Sequence, residues 1–325
     1  MANRTSIRPG DQVQRVLVLR TFEAFRDLAP GEVAALAEHV RPRLFRKGAY
    51  LYPPGQIVRS NHFVVDGKVA IVRDGKRVKE FGPQSVLGGL SSLIGEPERQ
   101  RYQAVEDTET LELFRDDIQE VFEDNFRIFQ GVMRAISIAV LEARRKLGPS
   151  GGFPAVTKAD PVRPIGEFDL VEKIFFLRQQ MSFAQTRIEA LADLAQECED
   201  LTLPAGKLLW RAGDVADHAL LLISGIVACE SDDGRQKFAF DPGSTIGGID
   251  ALAGLPRWYE AKAETEVRAL RVDTQRLLDV IEDNIEMGMD MLRVFAMGLR
   301  QLQGQIYDQS EPLGSAGSTT LDSAP

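Results

Sequence analysis

Residues 246–263 read IGGIDALAGLPRWYEAKA. Gly247 and Gly248 free backbone amides ahead of a short helical run, and Arg257 follows with a guanidinium; together these are the parts of a loop that holds a phosphate. Trp258 adds a flat face on which a ring could stack. Glu260, three residues past Arg257, adds a carboxylate to the same stretch. The stretch is therefore either an anion cradle or a cradle filled by its own side chains.

No other set of residues offers chemistry. His39, His62 and His218 stand in separate segments without metal-ligand spacing, no serine sits in a nucleophile elbow, and neither Gly-Gly pair is followed by the Lys-Ser/Thr of a Walker loop. Catalytic and metal-ligating residues are expected to be none, and the chain is not read as an enzyme.

The elements that must position Arg257 emerge from an internal repeat. Residues 45–89 align with 203–248, so that Gly48, Gly55 and Gly67 fall on Gly206, Gly213 and Gly225. After a one-residue insertion, Phe81, Pro83, Gly88, Gly89, Pro97 and Ala104 fall on Phe240, Pro242, Gly247, Gly248, Pro256 and Ala263. Each copy opens on an amphipathic helical stretch (30–40 and 184–198) and continues through short β-rich runs punctuated by Gly, Pro and Asp. A long helical segment closes it. This order predicts a mainly β protein with flanking helices: two tandem jelly-roll barrels, each closed by C-terminal helices. The expected boundaries are domain one at 20–147, a Gly/Pro-rich linker at 148–167, domain two at 168–308 and a disordered polar tail at 309–325.

The glycine framework, the Gly-Gly pairs and the Pro-containing segments after them resemble the cyclic-nucleotide-binding domain family. That family includes catabolite-activator-type regulators and the regulatory subunits of cAMP-dependent protein kinase. The likeness covers nearly all of both copies. It implies a phosphate cassette beginning Gly-Glu-(Leu or Ile)-Ala, whose Glu holds the ribose, and ending Pro-Arg-x-Ala-(Thr or Ser), whose Arg and hydroxyl meet the cyclic phosphate. On this pattern copy two keeps Gly247, Pro256 and Arg257, but has Gly248 for the ribose Glu and Glu260 for the hydroxyl. Copy one keeps Gly88 and Pro97, but has Gly89 for the Glu, Glu98 for the Arg and Arg101 for the hydroxyl. Loss of the ribose carboxylate removes a charge-assisted hydrogen bond worth about 1.5–3 kcal/mol. The exchanged signs, Arg257 with Glu260 and Glu98 with Arg101, suggest an internal ion pair in each socket. Solvated loop charges are the alternative, and Arg99 would return a cation to copy one if the register slips by one.

Composition bounds the partners. The chain has 325 residues and a formal charge of -9, with 23 basic against 20 acidic residues in 1–150 and 16 against 28 in 151–325. An acidic chain is a poor general binder of nucleic acid. The resemblance places a DNA-reading domain after the closing helix, where this sequence has a short polar tail, so direct DNA binding is not expected. Cys198 and Cys229 are too few for a disulfide framework and point to the cytoplasm. No segment has the roughly 20 apolar residues of a membrane span. Leu292, Phe295, Leu299, Leu302 and Ile306 recur at spacings of three and four, which suggests a homodimer through the helix at 288–307. The chain is accordingly expected to be a regulatory protein that needs no cofactor and acts on an unknown protein partner. The alternative is a sensor of a cyclic nucleotide or cyclic dinucleotide, bound mainly in domain two through Arg257.

Overall fold

The computed structural model describes residues 11–53, 55–73, 75–97, 100–147 and 168–309. Glu98 and Arg99, the linker and the polar tail from 310 on lie outside the described residues. The chain divides into two compact units: the first runs to Ile118 and takes in the chain from Gln303, and the second is Gln119–Leu302.

The first repeat opens with helices α1 (Gln12–Leu19) and α2 (Pro30–His39). Strands β1 (Arg41–Phe45), β2 (Ser60–Asp66), β3 (Val69–Arg73), β4 (Lys76–Phe81) and β5 (Val86–Leu87) follow, then the short helix α3 (Gly89–Ile94). Strands β6 (Arg101–Ala104) and β7 (Thr108–Phe114) complete the barrel, and α4 (Arg115–Asp124) and α5 (Phe126–Leu147) come after it. The second repeat has α6 (Leu170–Gln179), α7 (Ile188–Glu197), β8 (Glu199–Leu203), β9 (Leu208–Trp210), β10 (His218–Ser224) and β11 (Val227–Ser231). It continues with β12 (Lys237–Phe240), β13 (Thr245–Ile246), α8 (Gly248–Ala253), β14 (Tyr259–Ala263), β15 (Val267–Asp273), α9 (Thr274–Asp283) and α10 (Ile285–Gln309).

The two barrels share one antiparallel topology. Strand order β1-β7-β2-β5 in the first matches β8-β15-β10-β13 in the second, and β4-β3-β6 matches β12-β11-β14, to which β9 adds an edge. Even a register shift is duplicated, at Val64/Asp66 and at Leu222/Ser224. The repeat also reaches the opening helices, both capped by an aspartate: Asp11 accepts from the Gln14 amide at 2.9 Å and Asp169 from the Glu172 amide at 2.8 Å. Glycine is required at the turn after β10, where Gly225 has φ +84° and a Cβ would lie 2.8 Å from Val267 Cα; Gly67 repeats this after β2.

Helix α5 closes the first copy in sequence, yet in packing it belongs to the second unit, where Leu141 joins the core of Leu220, Val227, Phe240, Ile246 and Tyr259. Helix α10 buries Leu292, Leu299 and Leu302 within the same chain, leaving Phe295 and Ile306 half-buried. A homodimer through 288–307 would therefore have to use the other faces of that helix.

The first barrel contains a polar network that the second lacks. Glu112 accepts from Arg43 Nε at 2.5 Å and from the Ser60 hydroxyl at 2.8 Å, while His62 Nδ1 lies 3.0 Å from Thr110 Oγ1. Burial pushes the His62 pKa down to about 4, against the opposing pull of Glu112. Burial alone would raise Glu112, and the hydrogen bonds from Arg43 and Ser60 reverse this, holding it below the usual range. Both groups bind protons less readily folded than unfolded, so the first unit loses stability as pH falls from about 6.5 toward 4. Chemical denaturation between pH 7 and 4 checks this. His62→Leu, which installs the residue found at the equivalent Leu220, will flatten the dependence.

Candidate functional site

The loop after α8 brings Arg257 into the second barrel, where its side chain is fully buried. Nη1 donates to the Gly247 carbonyl at 2.5 Å and Nη2 to the His218 carbonyl at 2.6 Å. The Trp210 indole covers the guanidinium, its ring centroid 4.3 Å from Cζ. The acid nearest to it is Asp250 on α8, whose Oδ2 is 3.7 Å from Nη1; Asp250 is 1% exposed. Burial raises the Asp250 pKa to about 6, against the pull first of Arg257 and then of Arg145 and Arg144 on α5. Burial also lowers the Arg257 pKa, and Asp250 opposes that.

This arrangement corrects the expected pairing of Arg257 with Glu260. On β14, Tyr259, Ala261 and Ala263 point inward and are buried, while Glu260 and Lys262 face solvent; Glu260 lies opposite Glu230 of β11. Arg257, in the loop that precedes the strand, turns its side chain inside the barrel, whereas Glu260 stands on the outer face of β14, so the two do not meet. The internal ion pair exists, but α8 supplies its acid. Arg101 is likewise exposed on β6, opposite Val72, and is not brought to a socket.

Copy one closes the same place by another route. Tyr52, which aligns with Trp210, donates its hydroxyl to the Leu87 carbonyl at 2.9 Å and lies 3.3 Å from the Ser60 carbonyl. Ser60 aligns with His218, so a phenol reaches the strand carbonyl that a guanidinium bonds in copy two; its second acceptor, the Leu87 carbonyl, lies one residue before Gly88, the counterpart of Gly247. Gly88 and Gly247 both have positive φ, and both lack the Cβ that would collide with the plug, Tyr52 Oη in one and Arg257 Nη1 in the other. Tyr52→Phe removes the hydroxyl bonds to those carbonyls and will cost the first unit about 0.5–1.5 kcal/mol in urea unfolding.

At Gly89 and Gly248, the positions of the absent ribose carboxylate, a Cβ would make only ordinary contacts, 3.6 Å from Val86 Cγ1 and 3.4 Å from Ala219 Cβ. Trp258 is 6% exposed, stacks on Phe238 with centroids 5.4 Å apart and is covered by α5. Sequence reasoning missed Asp250 and Tyr52. The signal for Tyr52 was its alignment with another large aromatic, Trp210; for Asp250 it was an acid set between the apolar residues Ile249 and Ala251 on a short helix. No group of three His, Cys, Asp or Glu suited to a metal occurs among the described residues, and no described helix is long and apolar enough to cross a membrane.

A family model described as Cyclic nucleotide-binding domain matches residues 42–125 and 200–284. A CRP-like cAMP-activated global transcriptional regulator of Mycobacterium tuberculosis is 29% identical over 123 residues, covering 37% of this chain and 55% of that protein. A cyclic AMP receptor protein of Thermus thermophilus is 35% identical over 99 residues, covering 29% and 45%. The chain thus spans about half the length of the curated relatives it matches. Among solved structures, the regulatory subunit of a cAMP-independent protein kinase A from Trypanosoma brucei is 14% identical, with 92% of this chain and 95% of that chain covered and a TM-score of 0.34. The family model takes in just over half of the residues, in two stretches that fall on the two barrels, and the chain belongs to the cyclic nucleotide-binding domain family.

Proposed function

We propose that this chain is a non-catalytic regulatory protein that works through protein-protein contact, with both of its cyclic-nucleotide sockets occupied by its own side chains. The observation that carries this is the state of Arg257, which has no exposed side-chain surface, donates to two carbonyls of its own barrel and faces a buried carboxylate. A cyclic phosphate would have to displace the bonds to Gly247 and His218, meet the Asp250 charge, and do so without the ribose carboxylate that Gly248 replaces. Two buried, unpaired thiols are in keeping with a cytoplasmic protein. The relatives named for cAMP match over about half their length, so their whole activity is not carried across.

One observation favours a second reading, in which domain two senses a cyclic nucleotide or dinucleotide. Arg257 stands at the family's arginine position, with a buried Nε that has no hydrogen-bond partner. Calorimetric titration of the full chain with cAMP, cGMP and cyclic dinucleotides separates the two. The first reading predicts only heats of dilution up to millimolar ligand. Saturable heat that disappears in Arg257→Ala selects the sensor.

A further inference from the structure

Helix α6 is held to the second repeat by one face. Phe176 sets its ring edge-on to Phe168 with centroids 5.8 Å apart, Leu177 is fully buried, and Lys173 Nζ donates to the Cys198 carbonyl at the end of α7. The opposite face is apolar and open to water. Leu170, Val171 and Phe175 are 43%, 56% and 65% exposed, with Ile174 half-buried among them. Spacings of one and four set these residues side by side on the helix. One exposed apolar residue is ordinary, whereas a contiguous set that includes a phenylalanine marks a contact surface.

This face is larger than its counterpart in the first repeat. The register that sets Gly48 on Gly206 sets Gln12, Val13, Val16, Leu17 and Arg20 on Leu170, Val171, Ile174, Phe175 and Arg178. Where α1 has a glutamine α6 has a leucine, and where α1 has a leucine α6 has a phenylalanine, at positions exposed in both repeats. Neither difference serves the interior of its own domain, because the side chains stand outside it.

The charges on α6 define what fits there. Its first turn carries Asp169 and Glu172, and Arg178, which spends one guanidinium nitrogen on the Ala184 carbonyl, stands at its last turn beside the apolar set. Against a second α6 running the opposite way, Val171 meets Phe175, and Asp169 and Glu172 of each helix come beside Arg178 of the other. A parallel pair would set like charges together and align the helix dipoles unfavourably. The face is complementary to itself about a twofold axis.

We propose that α6 is a dimerisation surface: a second copy of this chain lays its own α6 antiparallel across Leu170, Val171, Ile174 and Phe175. The contact involves neither socket, so it is judged separately from the reading of the sockets above. It also differs from a seam through 288–307, where Leu292, Leu299 and Leu302 are already buried within the chain. Two helices of 10 residues bury less than a standard interface, so the dimer is a weak one.

Sedimentation velocity on the full chain, from micromolar to millimolar concentration, tests this. Wild type should shift from monomer to dimer across that range. Phe175→Glu, at a position that folding leaves in water, should weaken association about tenfold or more without moving the unfolding temperature. Leu17→Glu, at the equivalent place on α1, should leave association unchanged. Orientation is read separately by mild oxidation, to which the buried Cys198 and Cys229 do not contribute. An equimolar mixture of Val171→Cys and Phe175→Cys proteins should cross-link faster than either protein alone. A wild type that stays monomeric at millimolar concentration, as it would if residues 148–167 or a different protein covered the face, overturns the proposal. So does a dimer that survives Phe175→Glu, one that is lost in Leu17→Glu, or faster cross-linking of like with like.

Discussion

Asp250→Asn will turn the second socket into an anion site. The substitution keeps shape and removes the carboxylate 3.7 Å from the buried Arg257 guanidinium. Breaking a buried pair on one side costs about 3–5 kcal/mol, because the remaining charge is uncompensated. An arginine cannot shed its proton to escape that cost. An anion from solution can take the vacated role, and a ligand that binds only the folded state at about 100 times its Kd returns about 2.7 kcal/mol. The expected result is a second unit whose Tm falls in dilute buffer and climbs with added phosphate, sulfate or cyclic nucleotide, while the wild-type Tm stays nearly level. Equal anion dependence in the two proteins would contradict the assignment of Asp250 as the internal substitute for a phosphate.

Arg257→Met should cost the second unit about 3–5 kcal/mol. The change removes the guanidinium bonds to the Gly247 and His218 carbonyls, leaving Gly247 the Ala251 amide as donor, and strips Asp250 of its main counter-charge. With Arg257 present the Asp250 pKa is already raised to about 6 by burial, and without it the value moves higher still. A carboxyl whose folded pKa exceeds its unfolded one binds its proton more tightly when folded, so its contribution to stability falls as pH rises between the two values. The variant should accordingly be more stable at pH 5 than at pH 8, the reverse of the trend that His62 and Glu112 give the first unit. Urea unfolding at the two pH values, followed through Trp210 and Trp258, reads it. A loss under 1 kcal/mol would mean that Arg257 is a ligand residue with little part in the fold.

Much of this was legible from the repeat. Glycines at positive φ, such as Gly67 with Gly225 and Gly88 with Gly247, are demanded by backbone geometry, so they survive duplication and reveal the barrel, its turns and the place of the sockets. Arg257 was found because it keeps its place behind Pro256. Its partner was misread because nearness in sequence was given more weight than burial: Glu260 is three residues away on the outer face of β14, while Asp250 is seven away and buried on α8 beside the guanidinium. The plug in copy one was harder to see. Tyr52 and Arg257 do not align with each other; one shared carbonyl target, at Ser60 and at His218, reveals the equivalence. The place of α5 was beyond the sequence for another reason. An amphipathic stripe announces that something covers it and carries no record of which body does.

The central claim is that the arginine at the family's phosphate position is already spent on its own barrel. Nitrogen-15 NMR of the arginine side chains tests it most directly, with the Arg257 signals assigned by their loss in Arg257→Lys. Guanidinium protons bonded to Gly247 and His218 should be visible at neutral pH, slow to exchange with water, and unmoved by millimolar cAMP or cGMP. Rapidly exchanging Arg257 protons that become protected and shift when a cyclic nucleotide is added would contradict the account.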